Sequence, residues 1–361
     1  MLLVAIMHSL QMVPYIVAIV AGLSVGDPFV RDGDLFYDPK KPDGLEEEEE
    51  DADTPAEVED DREERSQKRG SFFRVMQGFA GNCPKSDVIC MLKAIGAYEF
   101  EVSKNGDLAS LHRFCESHFV RLKTMQEIMK LKSQLTNLMK KMDESVKIST
   151  LFSSKMSPPT AKQESLIRQI FLSGFGDQIA ILDETKMCGY GKNALPVYST
   201  MWSNTPEDFV IHPSSTVFRT RPASKWIIYD QILGKEERFG ADGVEIVDVL
   251  KANQRPRRWL KGITFIEESW ISNLKSPLCK YGKVLEQPVP HYILSLDMVK
   301  GYRNPTYGPK SWPLPIFEHT LDTIEEQCLW FAKCLLEGKV QLTDSTSPNM
   351  FGLLMVYSIL I

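Results

Sequence analysis

The sequence predicts an α+β fold in which a helical bundle is followed by a small β-barrel and a proline-rich extension with a terminal helix. Three observations predict this order. Apolar residues recur at helical spacing as far as Met142, and short β-branched and aromatic runs between turn residues follow Gly174. Prolines then recur from Pro277 to Pro315, before one last helical stretch.

The composition is that of a folded protein with two or three domains. Of the 361 residues, 43% are hydrophobic and 25% are charged, which excludes a wholly disordered chain. The net charge of -6 is unevenly distributed, because Glu46–Glu64 holds 13 acidic residues and one arginine. The rest of the chain carries +6, so phosphate binding stays open.

The chain begins with an apolar segment, Met1–Val25. Polar residues such as His8 and Gln11 interrupt it, and Pro14 predicts a break, so we expect a buried helix pair. A membrane span or signal peptide is the alternative. The apolar ending Met350–Ile361 is too short to cross a bilayer.

The acidic run Glu46–Glu64 has no apolar periodicity and strong self-repulsion. We expect a disordered insertion at about residues 40–70, with binding of a basic partner as the alternative. The seven cysteines are scattered and form no C-x-x-C pair. They indicate a reducing compartment rather than a disulfide framework or a structural zinc site.

Helical periodicity resumes after Ser86 and continues as an amphipathic stripe over 108–142. A break near 116–118 divides that stretch into two helices. Its polar side carries a basic excess that includes Arg121 and Lys132, and either a solvated face or a nucleic-acid contact accounts for it.

A boundary at Ser157–Thr160 precedes a helix over Ala161–Leu172 that ends at Gly174. About five strands should form the barrel. They are Val197–Met201, Phe209–Ile211, Thr216–Phe218, Trp226–Tyr229 and Ile263–Ile266. A terminal helix over Ile324–Glu337 should end at Gly338.

Catalytic motifs are absent from the sequence. Phe79–Ser86 ends in Lys-Ser as a Walker phosphate loop does, but Phe79 and Pro84 stand where that loop needs glycines. No metal-coordinating acidic or histidine motif and no nucleophile elbow occurs. We therefore expect no catalytic residue, no metal site and no cofactor in this chain, which should be inactive alone.

Taken together, these segments resemble the C-terminal half of a DEAH-box RNA helicase. Met12–Tyr15 leading to Ala21–Phe29 is similar to the entry into the family's helical-bundle, or ratchet, domain. Phe114–Glu127 followed by Lys132–Leu135 resembles its F-C to R-x-Q-L helix pair, with lysine at position 132. Val210–Phe218 followed by the Trp226 strand resembles the I-H-P-S-S signature of its OB-type barrel.

The resemblance implies four regions. An insertion of roughly Gly234–Arg258 interrupts the barrel, and Lys261 takes the place of a family arginine. The regions are a helicase-associated bundle at 1–156, an OB-fold domain at 157–275, a C-terminal extension at 276–340 and an unmatched apolar tail at 341–361.

Further similarities, among them Pro158–Thr160 and the stretch Phe331–Gly338, are to the nucleolar branch of the family. That branch acts in small-subunit ribosome assembly. The resemblance implies partners: pre-ribosomal and small nucleolar RNA, small-subunit processome proteins and the helicase's two RecA-like domains, with no membrane. It implies ATP and Mg²⁺ for the full-length helicase only, and a place in the nucleus and nucleolus.

A basic groove with exposed rings is how an OB barrel binds single strands. The candidate RNA contacts are His212, Ser214, Ser215, Arg219, Arg221, Lys225, Arg257, Arg258, Lys261, Arg121 and Lys132.

Each group of candidates has a structural alternative. His212 is a turn residue or a phosphate contact, and Ser214 and Ser215 cap the turn or bind phosphate. The cluster 255–261 is a solvated loop or an RNA clamp, and Trp226 belongs to the core or stacks on a base. Two functions follow. One is an RNA-binding accessory region without its own ATPase core, and the other is a protein–protein docking module for ribosome-assembly factors.

Overall fold

The computed structural model describes residues 1–2, 4–5, 10–30, 56–104, 106–142, 157–188, 194–202, 208–234, 258–274 and 276–340. Its contacts divide the chain into two compact units, Met1–Ile266 and Glu267–Ile361. The predicted α+β class is confirmed, since the first unit combines a helical bundle with a β-sheet. The division falls nine residues before the boundary suggested at 275, and the tail 341–361 lies outside the described residues.

Six helices precede the sheet in the described part of the first unit. They are α1 Val13–Val25, α2 Ala56–Ala80, α3 Asp87–Lys104, α4 Leu108–Ser117, α5 Leu122–Met142 and α6 Ala161–Gly174. The predicted start after Ser86 and the predicted break between α4 and α5 are confirmed. So is the start of α6 at Thr160, whose side chain forms a capping box with Gln163.

Pro14 lies in the first turn of α1, after a 3₁₀ turn over Leu10–Met12. Leu2, Val4 and Ala5 before it are helical, so the predicted break falls just before Pro14. The first turn needs no backbone N–H from that position, so proline is tolerated there. Helix α1 is buried, and at Gly22 a Cβ would come within 2.8 Å of Met91 on α3. This glycine lets the two helices approach closely.

Helix α2 corrects the prediction of a disordered insertion at about 40–70. The chain is helical from Ala56 onward, while residues 40–55 lie outside the described part. The C-terminal half of α2 also packs, because Phe72 and Met76 are buried.

Seven strands form the sheet in the described part of the first unit, where about five were expected. They are β1 Ile179–Cys188, β2 Leu195–Thr200, β3 Phe209–Ile211, β4 Trp226–Ile228, β5 Gln231–Leu233, β6 Arg258–Lys261 and β7 Thr264–Ile266. Their order in the sheet is β5-β6-β3-β2-β1-β4-β7. Thr216–Phe218, predicted as a strand, is instead a turn after β3. The Thr216 N–H donates to the Asp87 carboxylate on α3, which lies outside the sheet.

One apolar core serves the whole sheet. Leu260 of β6, Tyr198 of β2 and Phe265 of β7 belong to the same buried cluster. Because these strands are far apart in the sheet order, the sheet must coil around the cluster. Trp226 is 1% exposed, which confirms its assignment to the core.

The second unit contains two small sheets and two helices in its described part. Its elements are α7 Glu268–Asn273, β8 Cys279–Lys280, β9 His291–Ile293, β10 Met298–Arg303, β11 Thr306–Tyr307, β12 Trp312–Pro313, β13 Phe317–Thr320 and α8 Ile324–Leu336. Strand β10 pairs with β9 and β13, and Val299, Leu321 and Phe331 form a core between that sheet and α8. Helix α8 ends before Gly338, which has a φ of 69°, as predicted.

Among the described residues, no helix is both long and apolar enough to cross a membrane.

Candidate nucleic-acid interface

The Asp87 carboxylate joins the helical bundle to the sheet. Asp87 is the first residue of α3, and its side chain accepts four hydrogen bonds from residues of the sheet region. The donors are the Ser215 hydroxyl at 2.7 Å, the Thr216 N–H at 2.8 Å, the Thr216 hydroxyl at 2.7 Å and the Ile263 N–H at 2.8 Å. Burial raises the pKa of Asp87, and these hydrogen bonds oppose the rise.

A second group of hydrogen bonds supports the same joint. The Ser86 and Thr264 hydroxyls are 2.7 Å apart, and the Phe265 N–H donates to the Lys85 carbonyl at 2.8 Å. From α6, Arg168 donates to the Phe265 carbonyl at 2.9 Å. The bundle and strand β7 are therefore held together on both sides of Asp87.

These contacts also show what the Lys-Ser ending of Phe79–Ser86 does. The Ser86 hydroxyl is bonded to Thr264 and accepts from the Ile89 N–H at 3.3 Å, and Pro84 has no N–H to donate. The segment does not fit the phosphates of ATP or their Mg²⁺. Within the described ranges, no group of three His, Cys, Asp or Glu side chains is placed to hold a metal ion.

His212 stabilises the turn that follows β3. Its Nδ1 accepts a hydrogen bond from the Ser214 N–H at 3.2 Å and lies 2.8 Å from the Ser214 hydroxyl. A backbone N–H can only donate, so Nδ1 is the acceptor in this arrangement. The ring also meets Trp259 edge-on at 5.6 Å. Of the two interpretations of His212, the structure shows the turn residue.

Ser215 has the structural role that was the alternative to an RNA contact. It is 7% exposed, and its hydroxyl donates to Asp87 and accepts from the Val217 N–H. Its hydroxyl is therefore already engaged on both its donor and its acceptor side. Ser214 is half-buried and its hydroxyl faces His212. The I-H-P-S-S turn, His212–Ser215, therefore holds the bundle and the sheet together.

The turn brings three cations to the surface. Arg219, Arg221 and Lys225, three of the predicted RNA contacts, are all exposed. Arg221 donates to the Phe218 and Thr220 carbonyls at 3.0 Å each, which curls the segment. No carboxylate occurs between Phe209 and Tyr229, so the positive charge is not neutralised from within its own segment.

Lys132 on α5 and Arg121, the residue before α5, both have partners within the first unit. Lys132 is 8% exposed, and its ammonium lies 2.6 Å from a Glu99 carboxylate oxygen. It lies on the buried face of α5, together with the buried residues Met125 and Ile128. Arg121 donates to the carbonyls of Asp27 and Phe29 and so holds the loop after α1. Both side chains therefore have partners within the protein, and their RNA-facing role stays a prediction.

The described residues of the predicted cluster 255–261 have different surroundings. Lys261 on β6 lies 3.3 Å from Asp27, so an internal carboxylate competes for its charge. Gly262 follows with a φ of 68°, and a Cβ there would lie 2.5 Å from Asp230. Arg258 is half-buried at the start of β6, and Arg257 lies outside the described residues.

Sequence reasoning missed Asp87 and Arg168. The pair Ser86-Asp87 before an apolar run is an N-terminal helix signal, but nothing in it indicates partners such as Ser215 and Ile263, which are 128 and 176 residues away. Phe73 was also missed. The Arg219 guanidinium lies 5.8 Å from the centre of its ring, and helix α2 that carries it was not predicted.

Comparison with known proteins gives two family matches. Residues 1–91 match the family model of the helicase associated domain (HA2), ratchet-like. Residues 167–277 match that of the oligonucleotide/oligosaccharide-binding (OB)-fold. The first matched segment contains Asp87, and the second contains the turn that Asp87 anchors. The hydrogen bonds of Asp87 therefore connect the ratchet-like domain to the OB-fold domain.

Several curated relatives are similar along most of the chain. The "Probable ATP-dependent RNA helicase DHX37" of Homo sapiens is 26% identical over 332 residues, covering 91% of this chain and 24% of the relative. The "Probable ATP-dependent RNA helicase kurz" of Drosophila melanogaster is 26% identical over 350 residues, 94% of this chain and 25% of the relative. The "Probable ATP-dependent RNA helicase DHR1" of Saccharomyces cerevisiae is 29% identical over 223 residues, 56% of this chain and 17% of the relative. The chain thus spans about a quarter of the first two relatives.

Proposed function

Because this chain corresponds to the ratchet-like and OB-fold part of a DEAH-box RNA helicase, we propose that it is the helicase's RNA-binding accessory region. The observation that carries the proposal is the exposed group Arg219, Arg221 and Lys225. A turn anchored on Asp87 presents these cations in a segment without carboxylates, next to the joint between the two matched domains. Single-stranded RNA is bound through such backbone-directed positive charge.

The chemistry of ATP belongs to other parts of the full-length helicase in this proposal. The Lys85-Ser86 segment does not fit a nucleotide, as its hydrogen bonds to the sheet show. The two RecA-like domains of the family would supply the ATP and Mg²⁺ sites. This region would bind the RNA strand that the RecA-like domains move.

The wider setting follows from the resemblance to the nucleolar branch. We place the helicase in ribosomal RNA processing and small-subunit assembly, acting on pre-ribosomal and small nucleolar RNA together with small-subunit processome proteins. The nucleus, and within it the nucleolus, is the corresponding location. The similarities at Pro158–Thr160 and Phe331–Gly338 support this placement.

A second candidate function, docking of ribosome-assembly proteins, has its own observation. Helix α8 of the second unit exposes Leu329 at 64% and Leu336 at 87%, together with Ile324 at 58%. Exposed apolar surface marks protein contacts where it is contiguous, and these three side chains on α8 support this candidate. RNA binding by the first unit and protein docking by the second are separable by mutation.

The test measures binding of the full chain to a fluorescent single-stranded RNA of about twelve nucleotides, within the range one OB fold covers. Reversing charge at Arg219, Arg221 and Lys225 should weaken binding and flatten the slope of log affinity against log salt by about 2 units, at about 0.7 per lost phosphate contact.

The matched control places the same charge change on α5, at the exposed residues Lys123, Lys130 and Lys141. It should bind nearly as the unmodified chain does. Equal losses in the two variants would show that only the net charge matters. An unchanged slope in the folded Arg219, Arg221 and Lys225 variant would remove the RNA path from this segment and leave the docking function.

A further inference from the structure

A groove of about 80 Å³ lies between helix α2 and the turn after β3. We name it the α2–turn groove. The residues that line it include Phe73, Met76, Gln77, Pro213, Phe218 and Arg219. The α2 members recur at three- and four-residue spacing, so they form one face of that helix. Both walls belong to the first unit.

The groove combines ring surfaces with one cation. Phe73 and Phe218 are both half-buried, so part of each ring faces outward. Phe73 meets the buried Phe72 edge-on at 5.6 Å, which holds its ring in place. The Arg219 guanidinium lies 5.8 Å from the centre of the same ring. Aromatic rings and guanidinium planes are the surfaces on which unstacked bases stack.

The charge around the groove favours an anion. The α2 side, Gln67–Ser86, holds four cations and no carboxylate. Asp87 follows it, and its carboxylate is turned to the Ser215 and Thr216 donors. The turn side, Phe209–Tyr229, holds three cations and no carboxylate between its flanking residues Asp208 and Asp230. Two such segments meet here in a chain whose net charge is -6. An uncharged apolar peptide would pack on the aromatic rings and gain nothing from the positive charge. A nucleotide uses both, because its base stacks on a ring and its phosphate is attracted by the cations.

We propose that the α2–turn groove is a nucleotide site in which one base of single-stranded RNA stacks on Phe73 while Arg219 donates to the adjoining phosphate. The proposal rests on the proposed RNA-binding function and adds a base-stacking contact, with a residue on α2, to it. Arg219 then belongs both to the exposed cationic group of the turn and to the α2–turn groove, because its side chain reaches from the turn to the ring of Phe73. Stacking tolerates any base, since every base has a π-face.

The test separates the base from the phosphates by using two probes. One is the fluorescent single-stranded RNA described above, and the other is inorganic polyphosphate of matched charge, which has no base. Phe73→Ala should weaken RNA binding by about 5- to 150-fold, the range of one lost stack. The salt slope and the affinity for polyphosphate should stay unchanged, because no phosphate contact is lost.

Two further variants complete the design. Phe73→Leu keeps an apolar side chain against Phe72 but has no ring, so it should lose RNA affinity while preserving the melting temperature. Phe100→Ala is the matched control, because Phe100 is 57% exposed and lies on α3, outside the groove lining. It should bind RNA as the unmodified chain does.

The outcomes distinguish the two proposals. If folded Phe73→Leu binds RNA with unchanged affinity, the nucleotide site is overturned while the RNA-binding function stands. If Phe73→Ala and Phe73→Leu lose RNA and polyphosphate equally, the ring merely positions Arg219 and the stacking site is again overturned. If the unmodified chain shows no salt-dependent RNA binding, it is the proposed function that fails.

Discussion

Replacing Asp87 with alanine tests the joint between bundle and sheet. The substitution leaves four donors without their acceptor. The Ile263 N–H belongs to a residue with 0% exposure and cannot turn away, so its loss costs about 1 to 3 kcal/mol. The Thr216 N–H is less enclosed, and the two hydroxyls can rotate to other acceptors.

Removing the carboxylate also removes the free-energy cost of burying its charge, which opposes these losses. We therefore expect Asp87→Ala to lower the free energy of unfolding by about 2 to 4 kcal/mol. Asp87→Asn should cost less, because its carbonyl oxygen can still accept from Thr216. Urea denaturation of the full chain, followed by far-ultraviolet circular dichroism, measures both values.

Asp107 provides the matched control. It also lies at a helix N-terminus, but it is exposed and its carboxylate accepts only the Ala109 N–H among the hydrogen bonds described, at 3.4 Å. Asp107→Ala should cost about 0.5 to 1 kcal/mol, as the loss of an N-cap does. An Asp87→Ala protein within 1 kcal/mol of the unmodified chain would refute the claim that Asp87 holds the turn.

Three further results are expected. Trp226→Ala should destabilise the sheet by about 3 to 5 kcal/mol in urea denaturation, since Trp226 is 1% exposed, whereas Trp202→Ala should change little because Trp202 is 57% exposed; similar values for the two would contradict the core assignment. Lys132→Met should leave RNA affinity unchanged, because Lys132 is buried beside Glu99; weaker RNA binding with unchanged stability would support its predicted RNA role. The purified chain should hydrolyse no ATP with or without RNA, because it has no phosphate loop; turnover that follows the protein through purification would contradict this.

Local signals explain which elements could be predicted from the sequence. The capping pair Thr160 and Gln163 marks the start of α6, and the periodicity of Leu122–Met142 marks α5. Helix α2 was missed because its first half is polar on every side, so no apolar stripe indicates a helix. Strand β1, Ile179–Cys188, was missed because its second half is exposed and charged.

The candidate site was predictable only in part. Exposure of Arg219, Arg221 and Lys225 follows from their local sequence, which is polar and rich in turn residues. The burial of Ser215 could not be predicted in the same way, because its partner Asp87 comes from a helix 128 residues earlier. Lys132 likewise lies on an apolar stripe, but only tertiary packing supplies its partner Glu99.

The most direct test of RNA binding at this site is photochemical cross-linking. Single-stranded RNA containing 4-thiouridine is irradiated with the full chain at low salt, and the cross-linked peptides are identified by mass spectrometry. We predict cross-links within Phe209–Tyr229 and within Gln67–Ser86, the two segments that border the α2–turn groove. Cross-links confined to the second unit, or none at saturating RNA, would contradict the account.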